Sequence, residues 1–359
     1  MEIKKDTYYK MVNRNSGLVA DVAGRSTSNS AYLEQYPWQG ETFQQWLVFQ
    51  LNGGLSAIVN RNSGLIADVA GRSTSNSAHL EQYPWQGETF QQWSFEEVDG
   101  YYKIVNQNSG LVADVTGRST SNSTHLEQYQ WQNETFQQWS LEEVETIALP
   151  SVDTQELPDP PQYTSLDDNL PDSTDPVITA YTLMPCIMVD DNGWSAVSKI
   201  NQGPYYMLTK TQYWKKIDSH TFAPSAQYTS KTTYGMSEED QESMTQTTSI
   251  SVTADAGFSF GKMSSSISGT VTNELQVSQS TTTDKMTTQE NDETITNDHD
   301  YEVAWSLYAL VTEYELKRAD GTSVTSPWTV INKHDERESY YPLDSPPVPT
   351  SQANLKIVK

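Results

Sequence analysis

The sequence predicts an all-β protein of two domains, a barrel followed by an elongated antiparallel sheet. The first observation is a segment of about 46 residues that occurs three times in the N-terminal part. The second is a long stretch beyond residue 177 in which apolar and hydroxyl side chains alternate. A chain of 359 residues is long enough to bury two separate cores.

Each copy of the repeat ends in Gln-Gln-Trp, at Trp46, Trp93 and Trp139, so successive ends are 47 and 46 residues apart. Short apolar runs such as LVADV lie between Asn-Ser-Gly and Ser-Thr-Ser-Asn stretches, which indicates about four short strands per copy, joined by polar turns. One such unit cannot bury its apolar face alone, but three copies around a pseudo-threefold axis can. We therefore predict a β-trefoil over residues 1–145.

These tripeptides resemble the QxW signature of ricin-B-type trefoil lectins, and the resemblance covers residues 8–145. In that family the Trp lies in the core and the Gln braces a turn. The resemblance implies a carbohydrate site in each repeat, formed by an early Asp, a central aromatic platform and an Asn-Gln pair before the Trp. The carbohydrate-binding residues that it implies here are Asp21, Tyr36, Gln44, Asp68, Tyr83, Gln91, Asp114, Tyr129 and Gln137.

Such a site is chemically reasonable, because a carboxylate accepts hydrogen bonds from sugar hydroxyls and an aromatic ring stacks on the apolar face of a pyranose. The sequence departs from the family at the Asn of the Asn-Gln pair. Loss of this amide removes one hydrogen-bond partner of the sugar, which would weaken binding or change the sugar that fits. The family Asn is replaced by Phe43, Phe90 and Phe136. A second aromatic wall is available from Trp38, Trp85 and Trp131.

The trefoil is either a carrier of live carbohydrate sites or a scaffold whose sites are degenerate. Over the 35 residues that end at Trp46 and at Trp93, the first two copies differ at only two positions. A barrel requires its inward residues to be alike but does not require this of its outward Asp, Tyr and Gln, so the identity favours function. Three weak sites on one rigid body would bind a multivalent glycan surface with avidity.

The composition narrows the classes of partner and chemistry. The net charge of −25 argues against nucleic acid and anionic lipid as electrostatic partners. Cys186 is the single cysteine and is expected to be a small buried hydrophobe. The five histidines show no metal-ligand spacing and no nucleophile motif occurs, so we predict neither metal nor cofactor.

The N-terminus lacks the apolar region of a secretory signal, and no 18-residue apolar run predicts a transmembrane helix. Residues 146–176 are rich in Pro and Asp and are expected to form an extended connector that docks through its scattered Ile and Leu residues. The second domain is expected over residues 177–345, followed by an exposed tail at 346–359.

Residues 245–277 predict a long amphipathic hairpin with a turn at Gly261-Lys262. Its arms of about 12–16 residues are long enough to cross a bilayer, which requires roughly 9–11 tilted residues per strand. The alternation equally fits a structural hairpin on a half-buried sheet. The membrane-facing residues would be Ile250, Val252, Ala254, Ala256, Phe258, Phe260, Met263, Ile267, Val271 and Leu275. The face toward the pore lumen would carry the acidic residues Asp255 and Glu274.

A second resemblance concerns the segments PYYMLTKTQYWKKIDS, at 204–219, and TTSISVTADAGFSFG, at 247–261. They are similar to segments of aerolysin-type insecticidal proteins, specifically the binary-toxin-like pesticidal crystal proteins. The resemblance covers about residues 177–340 and implies an aerolysin-like pore-forming domain. It further implies a protein made without a signal peptide and stored in a parasporal crystal or released from a bacterium.

In that class of toxin the protein binds cell-surface glycans or a glycosylated receptor on gut cells, oligomerises with itself and inserts into the target membrane. Some members require a second toxin component, and the sequence leaves this point open. Two other functions also remain, a lectin or adhesin without pore activity and a glycoside hydrolase with an appended carbohydrate-binding module. A hydrolase needs two carboxylates about 5–10 Å apart. The acidic pairs of this sequence lie in polar stretches typical of solvated faces, so we predict no enzyme.

Overall fold

The computed structural model describes residues 2–343, 348–349 and 354–357. Its N-terminal part is a twelve-stranded β-trefoil in which each repeat contributes four strands, as predicted. Six strands close the barrel and the other six form three hairpins that cap it, with cross-pairing among β3, β7 and β11. The strands are β1 (Thr7–Asn13), β2 (Val19–Val22), β3 (Ala31–Tyr36), β4 (Trp46–Gln50), β5 (Ser56–Asn60), β6 (Ile66–Val69), β7 (Ala78–Tyr83), β8 (Trp93–Val98), β9 (Tyr101–Asn106), β10 (Val112–Val115), β11 (Thr124–Tyr129) and β12 (Trp139–Thr146).

The tryptophans of the three Gln-Gln-Trp tripeptides form the centre of the trefoil core. Trp46, Trp93 and Trp139 are at most 1% exposed. Each indole Nε1 donates a hydrogen bond of 3.0–3.1 Å to the carbonyl of an alanine on the second strand of its own repeat. The buried indole therefore has its polar atom satisfied, which is the condition under which Trp is stable in a core.

The C-terminal part is an antiparallel sheet with the order β13-β14-β19-β20-β15-β18-β21, and β22 also pairs with β18. Its three longest strands have 18, 15 and 14 residues. The strands are β13 (Val177–Pro185), β14 (Tyr205–Phe222), β15 (Gln227–Met236), β18 (Gln289–Thr296), β19 (Val303–Lys317), β20 (Trp328–Tyr341), β21 (Val348–Pro349) and β22 (Asn354–Ile357), and a separate two-stranded ribbon is formed by β16 (Ile250–Val252) and β17 (Phe258–Phe260). The helices are α1 (Ala196–Gln202), α2 (Glu238–Thr248) and α3 (Ser268–Leu275).

The connector runs along the second domain and is held by both side-chain and backbone contacts. Tyr163 and Leu170 pack in a buried cluster with Trp214, and the Trp214 Nε1 donates to the Pro158 carbonyl at 2.9 Å. The described parts of the expected tail, β21 and β22, pair with β18 and so differ from a free tail. The rest of 346–359 lies outside the described residues.

The predicted long hairpin is wrong for this state of the protein. Ile250 pairs with Phe260, in a short ribbon that turns at 253–257, instead of Phe260 lying opposite Met263. The chain then forms α3 where the second arm was expected. Residues 238–286, here called the covering segment, thus consist of α2, the β16–β17 ribbon, α3 and their connections.

The prediction failed because the spacing of the apolar residues in the second arm fits a helix as well as a strand. Ile267, Val271 and Leu275 are four residues apart, which places them on one face of a helix as well as on one face of a strand. In the structure this helical face is buried. The ribbon turns early because Asp255 accepts hydrogen bonds from the Thr253 hydroxyl and the Gly257 N–H, which closes a tight turn.

The covering segment lies on the sheet through a continuous apolar layer. Ile250, Phe258 and Leu275 are fully buried against strands of the second domain. The Phe258 and Tyr314 rings have their centroids 5.0 Å apart. Trp328 Nε1 donates to the Ser243 hydroxyl at 3.0 Å. No helix among the described residues is long and apolar enough to span a membrane.

The trefoil packs on the second domain through the outer face of β4 and β5. Leu47 and Phe49 are fully buried in the cluster that both domains share. The Phe49 ring meets the Tyr205 ring edge to face, with centroids 5.1 Å apart. At the equivalent position of the other repeats, Glu96 and Glu142 are exposed and paired with lysines. Strands β4 and β5 are therefore apolar on their outer face as well as on the face toward the barrel core. This outer face is the docking face.

Repeat 2 also contacts the covering segment directly. The Trp85 Nε1 donates to the Met263 carbonyl at 2.9 Å, and Lys262 forms an ion pair with Glu88. Asn52 Nδ2 donates to the Ser265 carbonyl at 3.1 Å. A cavity of about 590 Å³ lies beside these contacts and is lined by both domains.

We expect Trp85→Ala to destabilise the protein by roughly 3–5 kcal/mol, because this side chain is 6% exposed and packs between the domains. The matched control is Trp38→Ala at the equivalent position of repeat 1, where the side chain is 38% exposed, so that a change within about 0.5 kcal/mol is expected. Urea unfolding of the full chain measures both. Equal losses in the two variants would contradict the assigned interface.

Candidate carbohydrate sites of the trefoil

The structure brings the predicted Asp and Gln of each repeat into direct contact. Asp21 lies on β2, and the loop after β3 places Gln44 beside it, so that Gln44 Nε2 donates to Asp21 Oδ2 at 2.8 Å. The corresponding bonds in repeats 2 and 3 are 2.8 and 2.7 Å long. Each Asp is 3% exposed, and within the described residues its Oδ1 accepts no hydrogen bond.

The Gln is a positioning residue, not a ligand donor. In repeat 1 the second N–H of Gln44 is donated to the Pro37 carbonyl at 2.9 Å, and its Oε1 accepts the Gln39 N–H at 2.7 Å. The same three bonds occur in the other two repeats. Since an amide NH₂ has two hydrogens and both are used, the Gln holds the carboxylate in place.

The aromatic residues are placed less uniformly. Tyr36 and its two equivalents end the third strand of each repeat and are partly buried. Trp38 is exposed, with the Lys10 ammonium 5.3 Å from its ring centroid, and Trp131 is partly buried. Trp85 is instead docked on the second domain. The second aromatic wall is therefore solvent-accessible in repeats 1 and 3 and taken up by the interface in repeat 2.

Repeat 2 nevertheless retains a cavity of about 220 Å³ at its predicted site. The cavity brings the predicted Asp68 and Tyr83 together with Phe90, which replaces the family Asn, and with four residues that sequence analysis did not single out. Its lining residues are Asp68, Gly71, Arg72, Glu81, Tyr83, Gln86 and Phe90.

The three aspartates share an unusual electrostatic setting. The pKa of Asp21, Asp68 and Asp114 is raised to about 7, chiefly by burial and in smaller part by the charge of a neighbouring Glu. The Gln hydrogen bond and a nearby Arg oppose this rise by favouring the carboxylate. Each site therefore changes charge near neutral pH.

The candidate insertion residues are dispersed in this state. Within the covering segment, Ala254 in the turn is exposed, Ala256, Phe260 and Met263 are partly buried, and the other six residues are buried in the apolar cluster shared with the sheet: Ile250, Val252, Phe258, Ile267, Val271 and Leu275. The two acidic residues lie on different elements. Asp255 accepts from the Ser280 hydroxyl at 2.9 Å, and Glu274 from the Thr182 hydroxyl at 2.5 Å.

Two sets of residues were missed at the level of sequence. One is an arginine in each site, which directly follows a glycine in every copy: Arg25, Arg72 and Arg118. The other is the docking face. The sequence contains a signal for this face. The chain continues as the apolar run LVF after the first Gln-Gln-Trp, but as SFE and SLE after the other two.

Comparisons with known proteins agree with this architecture. Residues 2–83 and 89–159 match the model of the ricin-type beta-trefoil lectin domain-like family. Residues 177–342 match the model of the family described as Insecticidal Crystal Toxin, P42. The chain thus carries a ricin-type, lectin-like trefoil domain followed by an insecticidal crystal toxin domain.

Among curated proteins, the chain is homologous to binary larvicide subunit BinA of Lysinibacillus sphaericus, with 31% identity over 55% of this chain and 53% of that protein. Subunit BinB of the same species is 29% identical over 50% of this chain and 40% of BinB. Insecticidal crystal protein Cry35Ab1 of Bacillus thuringiensis is 28% identical over 50% of this chain and 49% of its own length. The matches span about half the length of these relatives.

The crystal structure of Cry35Ab1 superimposes on this chain with a TM-score of 0.81 at 20% identity, and covers 95% of this chain and 91% of that one. This agreement confirms the predicted fold, a trefoil followed by an elongated antiparallel sheet domain.

The raised pKa of the site aspartates predicts a pH dependence of stability. An Asp whose pKa is about 7 in the folded state and about 4 when unfolded binds more protons when folded, so stability falls as pH rises from about 4 to 7. We expect the triple variant Asp21→Asn, Asp68→Asn, Asp114→Asn to lose part of this fall and to be relatively more stable above pH 7.

Urea unfolding at pH 5, 6, 7 and 8 measures the effect. The control is Asp320→Asn, an exposed residue whose pKa is lowered by hydrogen bonds from Thr322. An unchanged slope between pH 5 and 7 in the triple variant would contradict the assigned pKa values.

Proposed function

We propose that the protein is an insecticidal toxin whose trefoil binds cell-surface carbohydrates and whose second domain oligomerises and forms a pore in the target membrane. Homology to BinA, BinB and Cry35Ab1 supports an insecticidal toxin. The observation that carries the pore proposal is the connectivity of the covering segment, which joins two strands that are already paired. Two relatives are named subunits of a binary larvicide, and we include a second toxin chain among the proposed partners.

The carbohydrate step rests on the threefold Asp–Gln arrangement. Each site offers a carboxylate oxygen, held by the Gln amide, next to a Tyr ring on the trefoil surface. Such a pair of groups suits a pyranose, which has hydroxyls on its edge and an apolar face. Binding at more than one site would concentrate the protein on the cell surface and thereby favour oligomers.

The pore step uses the strands that flank the covering segment. Strand β15 leads into it and β18 follows it, and the two are antiparallel neighbours with the register Tyr234↔Gln289. Continued without a bulge, this register places Phe260 opposite Met263, because the former lies 26 residues after Tyr234 and the latter 26 residues before Gln289. The hairpin predicted from sequence therefore has the register that β15 and β18 would impose on the released segment.

The faces of this extended hairpin also agree with the flanking strands. In β15 the even-numbered residues Ser230, Thr232 and Tyr234 are buried, and the odd-numbered residues from Gln227 to Thr233 are exposed. Ile250 and Val252 have the same parity, so they continue the buried face. In the proposed mechanism this face turns toward lipid, and the hydroxyl-rich face lines the pore of several assembled chains. Release exposes the apolar layer, and transfer into lipid offsets that cost.

A disulfide can test whether the segment must refold. A Cβ built on Gly261 lies 3.6 Å from the Ser249 Cβ, within the range for a disulfide. In the extended hairpin these residues lie 12 apart on one arm, about 40 Å from each other. We expect Ser249→Cys with Gly261→Cys to release no dye from vesicles of insect gut membrane until a reductant is added.

The matched control is Thr229→Cys with Thr294→Cys. These hydroxyls are 2.9 Å apart at the base of the hairpin, where the register is the same before and after release, so this disulfide leaves dye release unchanged. Release by the oxidised Ser249–Gly261 variant would rule out the refolding of this segment. No release by the wild-type protein, despite carbohydrate binding, would identify a lectin without pore activity.

The same register predicts the charge of the pore. Asp255 and Glu274 fall on the hydroxyl face of the extended hairpin, so a ring of chains carries a ring of carboxylates. We expect cation-selective conductance in planar bilayers, with the selectivity reduced in Asp255→Asn with Glu274→Gln. The control is Asp320→Asn, an exposed residue between β19 and β20 that lies outside the hairpin, and it keeps the selectivity. Equal permeability to potassium and chloride in the wild-type protein would contradict the assigned lumen face.

A further inference from the structure

Each candidate carbohydrate site contains an arginine stacked on the phenylalanine that replaces the family Asn. The guanidinium carbons lie 5.2, 5.2 and 5.0 Å from the ring centroids, within the range for a cation–π contact. The phenylalanines are buried and the arginines are exposed. The three pairs are Arg25 with Phe43, Arg72 with Phe90, and Arg118 with Phe136.

These arginines have a backbone conformation that is unfavourable for a residue with a side chain. Their φ angles are 58°, 57° and 59°, in the left-handed region that few residues other than glycine adopt. The turn aims the side chain across the phenylalanine ring. In repeats 2 and 3 a glutamine orients it further, because Arg72 donates to the Gln86 Oε1 at 3.3 Å and Arg118 to the Gln132 Oε1 at 3.2 Å.

A sugar site of this kind gains from a charged donor, which none of the predicted Asp, Tyr and Gln residues supplies. A pyranose hydroxyl both donates and accepts, and Asp68 in its ionised form can only accept. Both N–H groups of Gln91 are already donated, and Phe90 has no polar atom. Arg72 lines the same cavity as Asp68 and has further N–H groups beyond the one directed at Gln86. It is therefore the charged donor that faces a bound ligand.

The charges in the cavity favour a neutral ligand. Asp68 and Glu81 place two carboxylic groups beside the single guanidinium of Arg72. An acidic sugar would bring a further negative charge next to these groups, whereas a neutral pyranose gains a donor from Arg72 and an acceptor from Asp68. The same set of Asp, Glu and Arg occurs in repeats 1 and 3.

We propose that Arg25, Arg72 and Arg118 contact the ligand directly and select a neutral pyranose, to whose oxygens they donate hydrogen bonds. This inference rests on the proposed carbohydrate binding of the trefoil. It explains the departure at the family Asn, because the phenylalanine provides the surface on which the arginine is held. The donor is restored by a different residue from a different turn.

The test uses the full chain on a panel of immobilised monosaccharides, both neutral (galactose, N-acetylgalactosamine, glucose, mannose) and acidic (glucuronic acid, sialic acid). The main variant is Arg25→Met, Arg72→Met, Arg118→Met, which keeps an unbranched stem over each ring and removes the donors. We expect the wild-type protein to bind neutral sugars and the variant to bind them at least roughly tenfold more weakly, since hydrogen bonds to charged groups contribute this much. Near-UV circular dichroism and the unfolding midpoint confirm that the variant is folded.

A second readout separates ligand contact from a structural role. Each arginine lowers the pKa of its neighbouring Asp, so the methionine variant shifts the pH midpoint of any residual binding upward. The corresponding triple lysine variant keeps the charge and one donor group, and we expect it to keep the wild-type pH midpoint and regain part of the affinity.

The outcomes distinguish this inference from the function on which it rests. The triple Asp→Asn variant at positions 21, 68 and 114 serves as the reference for loss of the sites. If that variant loses binding and the methionine variant retains it, the arginine inference is wrong and the carbohydrate sites stand. Preferential binding of acidic sugars by the wild-type protein overturns the neutral-ligand assignment. Absence of binding to every sugar overturns both the inference and the proposed carbohydrate function.

Discussion

The apolar layer between the trefoil and the second domain is the interaction on which the rest of the structure depends. It continues without a break from the outer face of β4 and β5, through Phe49 and Tyr205, to the covering segment on the sheet. Because one layer joins all three parts, the trefoil stabilises the second domain and also holds the segment proposed to leave it. Repeat 2 contacts the covering segment directly, because the Trp85 indole N–H donates to the Met263 carbonyl. The repeat that carries one candidate carbohydrate site is thereby in contact with the segment proposed to refold.

The trefoil shows how a symmetric fold acquires unequal surfaces. Its interior is threefold, since each repeat places a tryptophan at the centre and donates its indole N–H to an alanine carbonyl. Its exterior is not, because the residue after Val48 is Phe49, whereas the other two repeats have Glu96 and Glu142 at that place. Core positions are constrained by packing in every copy, but a surface position changes freely. The candidate carbohydrate sites combine an Asp on the second strand of each repeat with a Gln beyond the third strand, and both are retained in all three copies.

The sequence predicted the trefoil well, because the repeat supplies period, strand number and core residues at once. Asp21 and Gln44 were selected from the sequence as residues of one site, and the family resemblance implied that the Gln braces a turn. The bond between the Gln amide and the Asp carboxylate, and the presence of Arg25 beside them, required side-chain geometry. The covering segment was the main error. Its residues satisfy a period of two and a period of four, and the choice between them depends on the sheet beneath, which no local pattern contains. The docking face was missed because its apolar residues were interpreted within the repeat and not across the domains.

The equal arms on either side of Gly261-Lys262 have a consequence for which changes in chain length the protein tolerates. Side chains alternate between the two faces of a strand, so deleting a single residue between Tyr234 and Phe260 would move every residue on one side of the deletion to the opposite face of the extended hairpin. A compensating deletion between Met263 and Gln289 would make the two arms equal in length again and restore a single register from the base of the hairpin to its turn. Substitutions at the hydroxyl-rich positions leave this register unchanged and are better tolerated. In natural variants of this chain, length changes in the segment should therefore occur in matched pairs.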